Sequence, residues 1–519
     1  MQLTEFRNEP LRDFKGNPEH ERLMKEALDE VRQELGQEYD LVINGERIKT
    51  QDEFCSYNPG QKDQVVGVFS KADAELADRA IRAADEAFKT WSHTPAERRA
   101  ELALETARII RERKFHYAAW MCYEVGKTWA EADADVAEAI DFAEFYGREI
   151  LRLDQPQPLT SVYGERNSLR YLPLGVGVVI PPWNFPLAIL TGMTLASVAA
   201  GNTVVLKPSS DSPAIGYKLF EALEEAGMPP GVVNFLPGPG GSVGDVLVGH
   251  PRTRFVAFTG SKEVGLHVNQ VAAKTGPGQI WVKRVIAEMG GKNSIVVDSE
   301  VDLEAAVEGV TVSAFGYQGQ KCSACSRAIV VESVYEAFLD KLQSRVEQIR
   351  VGPATHLNNY MGPVINARAK QSILEYIEIG KKEGRLITGG EEAPGPGHFI
   401  QPTVIADVAP QARIAQEEIF GPVLAVLKAR NFDEALEIAN NTEYGLTGAV
   451  YTKNRSKMDK AAEDFFVGNL YFNRKCTGAL VGGHPFGGFN MSGTDSKAGG
   501  RDYLLLFTQA KVVSEKLAP

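Results

Sequence analysis

Cysteine is scarce in this chain of 519 residues: there are five, an odd number that cannot close into a complete set of disulfides. Such usage predicts reduced thiols in a cytoplasm rather than a stapled secreted fold. Long apolar runs are missing as well. The most apolar stretch, residues 172–180, is about half of the roughly 20 residues that a membrane helix needs. Positive charge is the minority sign, with 56 Lys and Arg against 68 Asp and Glu and a net charge of −12. That balance argues against nucleic acid or an anionic membrane as a partner. The amino-terminal residues lack a basic segment followed by an apolar one, so no signal peptide is expected. There is no internal repeat and no low-complexity tract. What remains is an ordinary globular composition, 44% apolar and 24% charged, long enough for two or three domains.

One stretch stands out against that background, Thr311-Val-Ser-Ala-Phe-Gly-Tyr-Gln-Gly-Gln-Lys-Cys-Ser-Ala-Cys-Ser-Arg327. It starts as an amphipathic helix with Val312, Ala314 and Phe315 on one side, and Gly316 and Gly319 end it. Cys322 therefore sits on a tight turn, where Ser323 and Ala324 leave room for a substrate to approach the thiol. Upstream, Glu288-Met-Gly-Gly-Lys-Asn293 places a carboxylate at the end of an apolar strand. A thiol nucleophile and a separate carboxylate base suit acyl transfer, in which a thioester forms and activated water hydrolyses it. The blander alternative is a cysteine acting as a small buried hydrophobe beside a solvated turn glutamate. Cys322 and Cys325 also form a C-x-x-C, but no second pair stands at zinc spacing and the length is far from a thioredoxin unit, so no metal is expected.

Taken in order, residues 17–40 read as a charged helix and 41–48 as a hairpin around Asn44-Gly45. A helical stretch runs from 73 to about 151, and a Pro-punctuated extended arm begins at 152. Strands are expected at 175–180, 203–207, 232–236, 255–259 and 280–287, with helices near 187–200, 212–226, 242–249 and 261–273 between them. That alternation implies a parallel sheet of Rossmann type with helices on both faces. The polar residues of interest fall just after these strands, where open α/β sheets bind ligands. Ser261 after Gly260 can cap a helix and leave backbone N–H groups for a pyrophosphate. The Gly-rich turn 238–244 misses the dinucleotide fingerprint spacing and reads as structural. A second α/β unit starts at 292, with a strand at 293–298, a helix at 302–318 and further strands at 328–332, 423–428, 447–451 and 468–473. Residues 503–507 and 511–514 read as terminal strand, and an exposed edge there is a candidate to pair with the 152–172 arm of another subunit.

The motifs Pro182-Trp-Asn-Phe-Pro186, Lys207-Pro-Ser209, Phe258-Thr-Gly-Ser261, Glu288-Met-Gly-Gly-Lys292, Phe315-Gly-Tyr-Gln-Gly-Gln-Lys-Cys322 and Glu418-Ile-Phe-Gly-Pro422 follow one another in one chain. In this the sequence resembles the aldehyde dehydrogenase superfamily over nearly its whole length. The runs 319–327 and 476–488 are similar to the branch that oxidises L-glutamate γ-semialdehyde, in its single-activity form. The resemblance implies an α/β fold with a Rossmann-type cofactor domain (1–151 and 173–288), a second α/β catalytic domain (289–484) and a small β oligomerisation arm (152–172 and 497–519) in a homo-oligomer. It implies Cys322 as nucleophile, Glu288 as base and Asn184 as oxyanion donor. It assigns Lys207 and Glu418 to the ribose hydroxyls of NAD, Ser261 with Gly260 to the pyrophosphate, and Trp183, Ser209 and Phe420 to the same cofactor. Ser323, Gly478 and Ala479 match the grip on a substrate carboxylate, and Phe185 and Phe486 its aromatic walls. Ser210 stands where NAD-specific relatives often have Glu, so NADP is not excluded by charge.

Overall fold

The computed structural model describes residues 3–517; residues 1–2 and 518–519 of the expected cofactor domain and arm lie outside them. Two seven-stranded sheets organise the chain. In the first, Arg284–Glu288, Thr253–Thr259, Val176–Ile180, Thr203–Leu206 and Val233–Phe235 lie side by side and parallel. Their residues are nearly all buried, as expected for parallel strands covered on both faces. The hairpin Leu41–Ile43 and Glu46–Ile48 extends the sheet antiparallel beyond Val233–Phe235. Its turn has positive φ at both Asn44 (52°) and Gly45 (78°), which matches the right-handed twist of the strands.

The expected helical stretch consists of Ala74–Trp91, Ala96–Glu112, Lys114–Glu124 and Trp129–Leu153. Trp120, Trp129, Phe142 and Tyr146 from it share one core with Val179, Val204 and Phe235 of the sheet. The second sheet runs in the order Arg385–Thr388, Thr403–Ala406, Val423–Ala429, Cys325–Val331, Asn293–Val297, Thr447–Tyr451 and Asn469–Phe472. Alternate residues of its strands serve opposite faces. Ile295, Val330 and Val426 pack on Phe315 and Phe338, whereas Val296, Ile329 and Leu427 pack on Ile373 and Leu436.

Three expectations need correction. The fifth strand of the first sheet is shorter than 280–287: it spans Arg284–Glu288, and Ile280 and Val282 stand exposed before it. Residues Tyr503–Phe507 form a 3₁₀ turn rather than a strand, because Tyr503, Leu504 and Phe507 insert into the core, Phe507 edge-on to Phe255. The terminal strand Thr508–Lys516 pairs with Glu165–Pro173 of its own chain, from Thr508↔Pro173 to Lys516↔Glu165, where the arm of another subunit was the candidate partner. No helix among the described residues is long and apolar enough to cross a membrane.

Candidate active site

Val176–Ile180 is central in the first sheet. The chain leaves it toward Thr203–Leu206 on one side and later returns as Thr253–Thr259 on the other. This reversal opens a crevice at the carboxyl ends of the strands, the place where open sheets take ligands. Pro181 to Pro186 line its start, and Glu288 terminates the edge strand Arg284–Glu288. The second sheet brings Cys322 to the same place on the turn before Cys325–Val331. Asn293 holds that turn by donating from Nδ2 to Cys322 O (2.7 Å) and Ala324 O (2.9 Å).

Cys322 Sγ lies 3.7 Å from Glu288 Oε1, so the thiol donates to the carboxylate. Burial pushes the Glu288 carboxyl up to about 7, against the opposing effects of the Cys322 hydrogen bond and the Lys497 charge. Burial, then the negative charges of Glu288 and Glu418, push the Cys322 thiol well above its usual range. The resting pair is thus a neutral thiol beside a carboxyl poised near neutrality, which makes Glu288 an acceptor for the thiol proton as well as for one from water. Asn184 is buried, and its Nδ2 donates to the carbonyl of Gln320, two residues before Cys322 (3.1 Å).

A cavity opens over Cys322 and Glu288. Phe185, Ser323, Gly478, Ala479 and Phe486 all line it. Phe185 is held from behind by Lys127, whose Nζ sits 3.9 Å from the ring centre and 2.9 Å from the buried Asp135. Phe486 exchanges two backbone hydrogen bonds with Ala498 (2.8 and 2.7 Å). The sequence reasoning missed Glu138, which also faces the cavity, from the helix Trp129–Leu153. Burial first, then the charge of Asp135, raise its carboxyl to about 8. Nothing local distinguishes Glu138 from the other acidic residues of that helix.

The expected cofactor residues take places around the same strand ends. Lys207 is buried, its Nζ donating to Pro208 O (3.3 Å), and burial lowers its ammonium to about 8. Ser209 accepts from Asp211 N, and Ser261 caps Lys262–Ala272 through Val264 N directly after Gly260. Trp183 and Phe420 meet edge to face at 5.5 Å. Glu418 accepts from Gly291 N (2.9 Å), and burial raises it to about 7. A Cβ at Gly290 would stand 2.1 Å from Glu418 Oε2, so only glycine lets this carboxylate approach. Ser210 differs from the rest: it is exposed and lines a separate cavity with Tyr57, Lys62 and Asn366. The Gly-rich turn 238–244, read as structural, lies beside Lys207: a Cβ at Gly244 would stand 3.9 Å from Lys207 Cε.

Among known proteins, the model of the aldehyde dehydrogenase family matches residues 47–513. A 1-pyrroline-5-carboxylate dehydrogenase of Geobacillus kaustophilus is 59% identical over 510 residues, covering 98% of this chain and 99% of that one. A protein of Halalkalibacterium halodurans named 1-pyrroline-5-carboxylate dehydrogenase 1 is 55% identical over 513 residues, 99% of each. The solved structure of 1-pyrroline-5-carboxylate dehydrogenase from Thermus with bound NAD superposes with a TM-score of 0.98 at 52% identity over the whole of both chains. Betaine aldehyde dehydrogenase of Staphylococcus aureus in complex with NAD+ reaches a TM-score of 0.89 at 30% identity, covering 96% of this chain and 98% of that one.

Proposed function

Because this chain belongs to the aldehyde dehydrogenase family, we propose that it oxidises L-glutamate γ-semialdehyde, the open form of 1-pyrroline-5-carboxylate, to L-glutamate with NAD, the second step of proline catabolism. The observation that carries this reading is the cavity. A thiol–carboxyl pair 3.7 Å apart lies at its floor, two phenylalanines stand on its walls, and Ser323, Gly478 and Ala479 offer donors for a carboxylate. A head group with both a carboxylate and an ammonium also suits Glu138, whose raised carboxyl would ionise beside the positive charge.

In this reading Cys322 gives its proton to Glu288 as the sulfur bonds to the aldehyde carbon. The resulting oxyanion takes hydrogen bonds from the Asn184 amide and the Cys322 N–H. The residues present fit NAD: Lys207 is a buried ammonium suited to ribose hydroxyls, Glu418 a glycine-cradled carboxylate, and Ser261 stands at a helix amino-terminus suited to pyrophosphate. When bound, NAD supplies the acceptor for the hydride that leaves the substrate carbon. Glu288 releases the thiol's proton to solvent and, as carboxylate again, takes a proton from the water that attacks the thioester carbon; the carbon–sulfur bond breaks, and Cys322 leaves as thiolate.

We place the enzyme in the cytoplasm as a homo-oligomer, with the cofactor, catalytic and arm segments divided as the sequence suggests. The ribbon of Glu165–Pro173 and Thr508–Lys516 supports assembly, since the adjacent Val512 (59% exposed) and Val513 (49%) leave both of its faces bare. The test is steady-state selectivity. Charge-assisted hydrogen bonds contribute roughly 1.5–3 kcal/mol each, so two of them favour glutamate semialdehyde over pentanal in kcat/KM by about 100-fold or more. Equal kcat/KM for the two aldehydes would sink the assignment.

A further inference from the structure

Two consecutive N–H groups make an anion site only if something turns them the same way, and a residue just before the loop at 476–488 supplies that device. Arg474 follows the strand Asn469–Phe472, with its guanidinium carbon 4.4 Å from the ring centre of Tyr471. From there Nη2 donates to two carbonyls, Thr477 O at 3.1 Å and Gly478 O at 3.0 Å. Those carbonyls belong to the peptide groups whose N–H groups are those of Gly478 and Ala479. In a trans peptide the C=O and N–H point in opposite directions. Holding both carbonyls on one nitrogen therefore aims both N–H groups to the other side. The φ of Gly478, +74°, is the left-handed conformation that keeps neighbouring peptides parallel in this way. Gly478 and Ala479 line the cavity, and among the described residues neither N–H finds an acceptor.

We propose that Arg474 is a positioning residue for substrate selectivity, locking the Gly478–Ala479 N–H pair into an oriented grip for the substrate carboxylate. The inference rests on the substrate reading above and deepens it. A lysine cannot take the place: it lacks the planar guanidinium that stacks on Tyr471 while presenting two hydrogens to two carbonyls. The aldehyde end is untouched by this device, so an uncharged aldehyde reacts without it.

The experiment compares glutamate semialdehyde with pentanal in R474M, R474Q and R474K, alongside inhibition by the product glutamate. R474M is expected to raise KM for the semialdehyde about 10- to 100-fold, as loss of alignment weakens charge-assisted hydrogen bonds. Its kcat, and its kcat/KM for pentanal, stay within about twofold, the glutamate inhibition constant rises in parallel with KM, and R474K is intermediate. Thermal midpoints identify any variant that folds poorly, in which case R474Q and R474K decide the question. A KM that rises equally for both aldehydes, or for neither, overturns the positioning role. An unmodified enzyme that does not prefer the semialdehyde instead overturns the substrate reading, so the two failures are distinguishable.

Discussion

At the scale of single residues, the proposed chemistry turns on the contact between Cys322 Sγ and Glu288 Oε1 at 3.7 Å. Sequence reasoning gave Glu288 only the hydrolytic step. In the proposed mechanism the contact gives it a second task, because a thiol raised by burial and by two carboxylates needs a base before it can attack. Glu288→Gln is accordingly expected to slow the rapid-mixing burst of NADH while keeping about one equivalent of amplitude. It should lower the steady-state rate by roughly 100- to 10,000-fold, the usual size of a general-base contribution. The sign of the pH dependence follows from a carboxyl raised to about 7. Glu288 is ionised and competent above that value, so kcat falls as pH drops through about 7, and the Gln variant loses this limb. A burst of unchanged rate in the variant, with the acid limb still in place, would remove Glu288 from both roles.

At the scale of elements, the two-stranded ribbon is the part least able to stand alone. Two strands without a covering layer are marginal in water. Just before the edge strand Arg284–Glu288 of the first sheet, Ile280 and Val282 are 87% and 94% exposed, a further apolar surface without cover in the single chain. Val512→Glu with Val513→Glu is expected to reduce the solution mass, measured by light scattering, to that of one chain, while far-ultraviolet circular dichroism stays unchanged. A mass unaffected by both substitutions would move the interface elsewhere. The same ribbon marks a limit of pattern reading. The alternation in 508–516 identifies a strand but does not name its neighbour, and the structure supplies Glu165–Pro173 of the same chain.

At the scale of the whole molecule, the proposed cofactor site would couple the two sheets, because Lys207 and Ser261 come from the first and Glu418 from the loop that enters the second. A ligand present at about 100 times its Kd stabilises the folded state by roughly 2.7 kcal/mol. NAD is therefore expected to raise the unfolding temperature of the unmodified protein, and NADP to raise it by less. Ser210→Glu should abolish the NADP shift through repulsion of the 2′-phosphate and leave the NAD shift in place. Equal loss of both shifts, or of neither, would separate Ser210 from the adenosine ribose, a real alternative given its exposed position beside Lys62 and Asn366.

What the sequence determined by itself is what depends on near neighbours along the chain. Asn44-Gly45 specifies its hairpin, continuous apolar runs specify the buried parallel strands, and small residues around Cys322 mark a thiol that a substrate can approach. These signals survive in one dimension because torsional preference and side-chain period act over a few residues. The tertiary structure decided whatever depends on which distant surfaces meet. It buried Tyr503 to Phe507 as a turn, exposed Ile280 and Val282, and turned Glu138 from one helical acid among many into a carboxyl facing the thiol cavity. It also set the state of the Cys322–Glu288 pair. Desolvation and Coulomb energy depend on the packing of segments far apart in sequence, and spacing along the chain carries no measure of either.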